Sequence, residues 1–202
     1  MGGQTLDREL LQKIREGDNE AFPELYNKYA DYALRVAMAV TRNKMSAADA
    51  VQEAFIRVYK NMQTFDLDKA FEPWFYRILI NECSRILGKN SNMTLIDDFI
   101  ENNIESSSED KYNFEEYETL YKAIESLEDN NKIPIILKYL RGFKESEIAE
   151  ILGININTIK SRLFKGRRKL KNVIERLEGG KNNPAQAARD NNLSIAGGSD
   201  NG

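Results

Sequence analysis

Residues 142–171 run Gly-Phe-Lys-Glu-Ser-Glu-Ile-Ala-Glu-Ile-Leu-Gly-Ile-Asn-Ile-Asn-Thr-Ile-Lys-Ser-Arg-Leu-Phe-Lys-Gly-Arg-Arg-Lys-Leu-Lys, and they leave the backbone little choice. Ala149 is small enough for two helices to approach closely. Gly153 follows four positions later, where a tight turn needs positive φ. Asn155 can cap the next helix by accepting a backbone N–H bond. The pattern is a short helix, a turn and a second, basic helix: a helix-turn-helix whose second helix is suited to touch a polyanion.

That second helix has two faces. Ile156, Ile159, Leu163, Leu170 and Val173 recur at helical spacing and predict the side that packs on a core. Rotation away from it brings up Asn157, Thr158, Ser161, Arg162, Lys165, Arg168 and Lys169. Arg and Lys bind phosphates, while Ser, Thr, Asn and Arg can reach base edges. Residues 136–176 hold eleven Lys or Arg against four acids, a local balance of +7 in a chain whose net charge is −3. A merely solvated surface helix would not combine core-like Ile156–Leu163, the Ala149/Gly153 turn and such one-sided charge.

The 202 residues give room for one domain or two small ones, and 41% hydrophobic with 30% charged residues fits a soluble helical protein. No apolar run approaches the roughly 20 residues that cross a bilayer; the longest, Ala33–Val40, is interrupted by Arg35. The first residues lack the apolar segment of a signal peptide. The expectation is a cytoplasmic protein with no membrane insertion. Histidine is absent and Cys83 is the single cysteine, which argues against disulfide frameworks, His/Cys zinc sites and His-assisted nucleophiles. Carboxylates are abundant but not at the spacing of a catalytic pair or metal cage. No enzyme activity, metal or cofactor is expected.

Changes of pattern predict an all-α chain of two small helical domains joined by a flexible acidic linker. Residues 1–90 form the first domain, with breaks near Gly17-Asp18, Arg42-Asn43-Lys44 and Phe65–Asp68. Residues 91–111 form the linker, residues 112–178 the second domain, and residues 179–202, poor in apolar bulk, a disordered tail. Residues 91–131 carry twelve acids against Lys111 and Lys122, a balance of −10. Such a tether is either an ordinary solubilising linker or a segment that lies in a partner's positive channel.

In the first domain, Ser46–Met62 predicts a helix with Val51, Phe55, Val58 and Met62 as its buried seam. Its other side presents Asp49, Gln52, Glu53, Ile56 and Lys60, a plausible protein-docking surface. The helix from Ala70 to Gly88 buries Phe71, Phe75, Ile78, Leu79, Cys83 and Ile86. Arg77, Asn81 and Arg85 fall at i, i+4 and i+8, with Trp74 and Tyr76 near the helix start. Positive charge beside aromatics suits single-stranded nucleic acid, whose bases leave the duplex and stack. Core packing is the competing role for Trp74, and an internal ion pair for Arg77.

Three stretches together resemble a known family. Ser46-Ala-Ala-Asp-Ala-Val-Gln-Glu-Ala-Phe-Ile-Arg-Val-Tyr59 resembles the polymerase-binding helix of bacterial sigma factors. Phe71-Glu-Pro-Trp-Phe-Tyr-Arg-Ile-Leu-Ile-Asn81 is similar to their promoter-melting helix, and Leu127 through Leu170 to their region 4. With two domains and a short linker, the chain is most similar to the extracytoplasmic-function (ECF) class of the sigma-70 family. The resemblance implies a factor that directs core RNA polymerase to promoters and helps melt them; the alternative is a stand-alone helix-turn-helix regulator. It implies that Asp49, Gln52, Glu53, Ile56 and Arg57 meet the polymerase, through the coiled coil of its largest subunit, with the flap as a second contact. The loop Phe65–Glu72 with Trp74, Arg77, Asn81 and Arg85 would capture an unstacked base of the −10 element. Asn157, Thr158, Lys160, Ser161, Arg162, Phe164, Lys165 and Arg168 would meet the −35 element. The linker would thread toward the active-centre cleft, and an anti-sigma factor is a further candidate partner. Glu128 replaces the family's usual Pro after Leu127, Pro134 falls later and is expected to shift a helix start or kink the helix, and Lys144 replaces a usual Ser cap.

Overall fold

A computed structural model of the chain describes residues 2–18, 20–93 and 118–181, with side chains over 8–18, 20–88 and 122–176. Most of the linker expected at 91–111 and of the tail expected at 179–202 lies outside the described residues. Eight α-helices occur among those described: α1 (Gly2–Glu16), α2 (Ala21–Thr41), α3 (Lys44–Asn61), α4 (Phe71–Met93), α5 (Glu118–Glu125), α6 (Asp129–Arg141), α7 (Glu145–Leu152) and α8 (Ile156–Lys181). A 3-10 turn, Met62–Thr64, extends α3. The class is all-α, as the periodicity predicts.

Helices α2, α3 and α4 pack on one another because each carries an apolar stripe. Leu25, Tyr29, Ala33 and Val36 meet Val51, Phe55 and Val58, and both meet Phe71, Phe75, Leu79 and Cys83, all buried. The rings interlock: Tyr29 lies 5.1 Å from Phe71, and Phe55 lies 5.0 Å from Phe75. Such pairs add about 0.5–1.5 kcal/mol each beyond the area they bury. Ile78 and Ile86, expected on the core side, sit at its margin, half-buried. The predicted breaks are real corners. Asn43 accepts from the Ser46 N–H at 2.9 Å and starts α3. Arg42, the residue before it, adopts a left-handed φ of 60°, the one positive φ outside glycine among the described residues.

Helices α5 to α8 extend the same core with Ile124, Ile135, Ile136, Ile148, Ile151, Ile159 and Leu163. The end of α7 is a Schellman turn: the Ile154 N–H reaches the Ala149 carbonyl at 3.1 Å, and Gly153 takes φ 64°. Asn155 accepts from the Asn157 N–H at 2.8 Å, so it caps α8 as its position predicts. Ile156 is a correction: it is 37% exposed rather than buried. It is the first residue of α8, and helical side chains tilt back toward the N-terminus, so it points past the turn instead of onto α7. Pro134 does not set a helix start either. Helix α6 begins at Asp129 and carries the buried proline in its second turn, where the Asn130 carbonyl loses its i+4 donor. At the start of α7 the Glu147 carboxylate accepts from the Lys144 N–H at 2.7 Å. A Lys side chain cannot accept in return, so half of a capping box replaces the usual Ser.

The halves pack together, α2 on α6 and α4 on α7. Arg141 of α6 pairs with Glu72 at 2.8 Å, and its guanidinium lies over the Tyr32 ring at 4.5 Å and the Tyr76 ring at 5.2 Å. Tyr76 meets Phe143 edge to face at 5.2 Å. Arg42 donates to the Glu125 carbonyl at 3.0 Å, with the Glu125 carboxylate 3.4 Å away.

Candidate nucleic-acid interface and docking groove

Between α2 and α3 runs a groove of about 850 Å³, lined by Phe22, Tyr26, Leu34, Gln52, Ile56 and Tyr59 among others. Of the residues expected to dock a protein, Asp49, Gln52, Ile56 and Arg57 are exposed and Glu53 is half-buried. Tyr59, 63% exposed, extends the same side. Reading α3 alone missed the opposite wall, because half of the groove belongs to α2. The available signal was a surplus of aromatics on α2, where Phe22 and Tyr26 add to the buried Tyr29. Phe22 packs edge-on against Tyr59 at 5.2 Å and Tyr26 lies 4.7 Å from Phe55, which fixes the apolar floor. An apolar trough with Asp31 among its lining residues suits an amphipathic helix with a basic flank.

On the other side of α3 lies a second concavity of about 240 Å³, lined by Arg57, Asn61, Thr64, Phe65, Trp74, Ile78, Asn81 and Glu82. Trp74 and Asn81 therefore share one pocket, as expected. Trp74 is half-buried and lies 4.5 Å from Phe65 in a tilted stack, which leaves an aromatic wall beside the amides of Asn61 and Asn81. Asn presents both a donor and an acceptor to a base edge. The loop over residues 65–70 is held from two sides. Asp66 turns it by accepting from the Asp68 N–H at 3.1 Å, and Arg8 of α1 pairs with Asp68 at 2.9 Å. The Arg15 guanidinium donates to the Gln63 carbonyl at 2.8 Å, and the Gln63 side-chain amide donates to the Arg15 carbonyl at 3.0 Å.

The three-residue stripe is not uniform. Arg77, Asn81 and Arg85 are all exposed, but each has a different neighbour. Arg77 donates to the main-chain carbonyl of Glu150 in α7. Arg85 donates to Glu82 at 2.7 Å. Glu82, which sequence reasoning passed over, is 4% exposed at its side chain and also takes Arg57 at 2.6 Å. Its signal was an acid next to Cys83 on the core side of a helix, a place where a charge needs partners.

Helix α8 presents Asn157, Thr158, Lys160, Ser161, Lys165 and Arg168 to solvent, with Arg162 half-buried. Phe164 is 61% exposed among these cations. Among the described residues, none of Lys160, Arg162, Lys165 and Arg168 is paired with a carboxylate. A cationic helix face with an unpartnered aromatic is the expected chemistry for DNA. The helix is seated by Gly166, where a Cβ would come within 2.7 Å of Ile135 Cγ1 of α6. Burial pushes the Cys83 thiol up to about 12, and it likewise holds the Tyr76 phenol far above its usual range, against the pull of Arg141. Among the described residues no metal-ligating cluster forms, and no helix is long and apolar enough to cross a membrane.

Residues 25–92 match the sigma-70 region 2 model and residues 117–170 the sigma-70 region 4 model. The ECF RNA polymerase sigma-E factor of Escherichia coli (strain K12) is 31% identical over 191 residues, covering 88% of this chain and 98% of the relative. The sigma-E factor of Haemophilus influenzae is 28% identical over 191 residues, covering 88% of this chain and all of the relative. In fold, the chain is similar to CnrH in complex with the cytosolic domain of CnrY, with a TM-score of 0.66 at 20% identity, over 84% of this chain and 97% of that one. It is similar too to the sigma factor RpoE in complex with the anti-sigma factor NepR from Bartonella quintana, with a TM-score of 0.64 at 23% identity, over 76% and 96%. Most residues of the α2/α3 groove and of the aromatic pocket fall in the region 2 match, the first part of the cationic helix falls in the region 4 match, and the chain belongs to the ECF class of sigma-70 family RNA polymerase sigma factors.

Proposed function

We propose that this sigma factor lends core RNA polymerase its promoter choice through α8 and stabilises open DNA through the Trp74/Asn81 pocket. It catalyses no reaction itself and acts in the cytoplasm. The observation that carries this reading is the placement of an amide-and-aromatic pocket directly behind a docking groove, with α3 as their common wall. Melting then needs no fuel, since capture of an unstacked base returns about 1–3 kcal/mol against the cost of unpairing. We assign Asp49, Gln52, Glu53, Ile56 and Arg57 to the polymerase's largest-subunit coiled coil, with the flap as the second polymerase contact. The −10 strand is assigned to Trp74, Arg77, Asn81 and Arg85, and the −35 duplex to Asn157, Thr158, Lys160, Ser161, Arg162, Phe164, Lys165 and Arg168. One relative of similar fold was captured with an anti-sigma factor. A factor of that kind is proposed as a partner here, competing for the same groove.

The stand-alone regulator reading finds no support, because region 2 spans the first half of the chain. Reconstitution tests the proposal. Core polymerase with this protein should initiate from a subset of promoter fragments, and Gln52→Ala with Glu53→Lys should weaken core binding while circular dichroism stays unchanged. Unaltered core affinity in that variant would move the docking surface elsewhere.

A further inference from the structure

Among the described residues, Glu82 is the one acidic side chain that is buried. Both its oxygens are committed. Oε1 forms an ion pair with Arg57 Nε at 2.6 Å, and Oε2 accepts from Arg85 Nε at 2.7 Å. The two arginines come from different helices: Arg57 from α3, where it lines the Trp74/Asn81 pocket, and Arg85 from the stripe on α4. Contact through Nε fixes the plane of each guanidinium and leaves its terminal nitrogens for an outside partner. Glu82 also lines the pocket that holds Trp74 and Asn81. Glu53 also approaches Arg57 Nε, at 3.4 Å, so two carboxylates balance the two guanidiniums and only Arg85 relies on Glu82 alone.

We propose that Glu82 is a positioning residue for strand capture. It holds Arg85 at the angle at which the guanidinium grips a phosphate of the unpaired −10 strand, and it ties that grip to Arg57 on the polymerase-binding helix. The inference rests on the pocket reading given above. A free arginine would sample many rotamers and lose entropy on binding; an arginine already pinned by a buried carboxylate binds with its geometry prepaid. Docking of polymerase on Arg57 is then felt at Arg85 through a single side chain.

The sign of one measurement separates this role from plain electrostatics. Removing a negative charge beside two arginines should by itself tighten binding to a phosphate backbone. Loss of positioning should weaken it. With holoenzyme assembled from core polymerase and the full chain, we would measure the lifetime of complexes on a template already unpaired across the −10 region. Glu82→Gln is expected to shorten that lifetime roughly tenfold, the scale of one charge-assisted hydrogen bond. Glu82→Asp, which keeps the charge but falls one methylene short of spanning both arginines, should also shorten it, and it serves if the Gln variant folds poorly. Arg85→Ala combined with Glu82→Gln should cost no more than the larger single effect, because the two act as a unit.

An unchanged or longer lifetime for Glu82→Gln, or full additivity with Arg85→Ala, would overturn the inference. Asn81→Ala on matched and base-substituted bubbles keeps the two levels apart. If Asn81→Ala still discriminates between those bubbles, the pocket reading itself fails. If it loses discrimination while the Glu82 variants behave as wild type, only the role of Glu82 fails.

Discussion

Arg77 of α4 donates to the main-chain carbonyl of Glu150 in α7, so a residue assigned to the promoter strand is engaged by the helix-turn-helix. One guanidinium edge cannot hold that carbonyl and a phosphate together. Strand capture by Arg77 therefore uses the remaining guanidinium donors or releases this contact between α4 and α7. Between the same two halves lies Arg141 of α6, whose partners are Glu72 and three aromatic rings. Arg141→Ala should destabilise the packing of the halves by about 1–2 kcal/mol, from one mostly buried ion pair and its cation–π contacts. Hydrogen exchange should quicken first in α6 and α7, with α3 unaffected; uniform loss of protection across both halves would show that they do not separate as units.

Asn81→Ala should retain core affinity and lose open-complex formation on duplex promoters. Activity should partly return on a template unpaired across the −10 region, since the unpairing cost is then removed. Permanganate footprinting of the duplex and abortive transcription from the bubble measure the two arms. Silence on the bubble, with a lowered Tm, would make Asn81 a structural residue.

The face of α8 should divide between phosphates and bases. Lys169→Ala is expected to lower the slope of log affinity against log salt by about one without altering sequence choice. Arg162→Ala should cost roughly 1–3 kcal/mol at a single base pair. Binding titrations against a set of singly substituted −35 duplexes distinguish them. Equal weakening on every duplex would place Arg162 among the phosphate contacts.

Gly166→Ala should unseat α8. Its new methyl would lie 2.7 Å from Ile135 Cγ1, and overpacking of this kind costs about 1–3 kcal/mol. Chemical denaturation should show the loss, and Ile135→Ala in the same chain should recover part of it, because the two changes share one space.

Stability should decline in alkali. The Cys83 thiol titrates near 9.0 when unfolded and is pushed up to about 12 in the fold by burial. Above the lower value the unfolded chain releases a proton that the folded chain retains, so stability is full below it and is lost as pH rises toward the upper one. The Tyr76 phenol, raised by burial, acts in the same direction. Melting curves from neutral pH upward should show the decline, and Cys83→Ala should flatten its lower part.

The legibility of the chain followed the range of the interactions. The seam Val51, Phe55, Val58 and Met62, the Gly153 turn and the Asn155 cap depend on neighbours within a few residues, and spacing alone exposes them. Trp74 and Asn81 line one pocket because seven positions are two helical turns, although it is the family resemblance rather than spacing that groups them in the sequence. What spacing could not show was any partner on another helix. The α2 wall of the groove, the Arg57–Glu82–Arg85 bridge and the Gly166–Ile135 contact all join residues that only the fold brings near. Ile156 went astray for a local reason: periodicity assigns a face but not an end, and the first residue of a helix has nothing beneath it.

The left-handed turn at Arg42 has a consequence for how firmly the molecule shuts. Glycine would adopt that φ freely, whereas arginine there carries about 1 kcal/mol of steric strain. The same arginine reaches across to Glu125, so one residue is a sprung hinge pin, loaded in its backbone and hooked by its side chain. Arg42→Gly would relax the corner and release its hook on α5 in one change, so backbone ease and the contact between the halves are traded against each other at a single position.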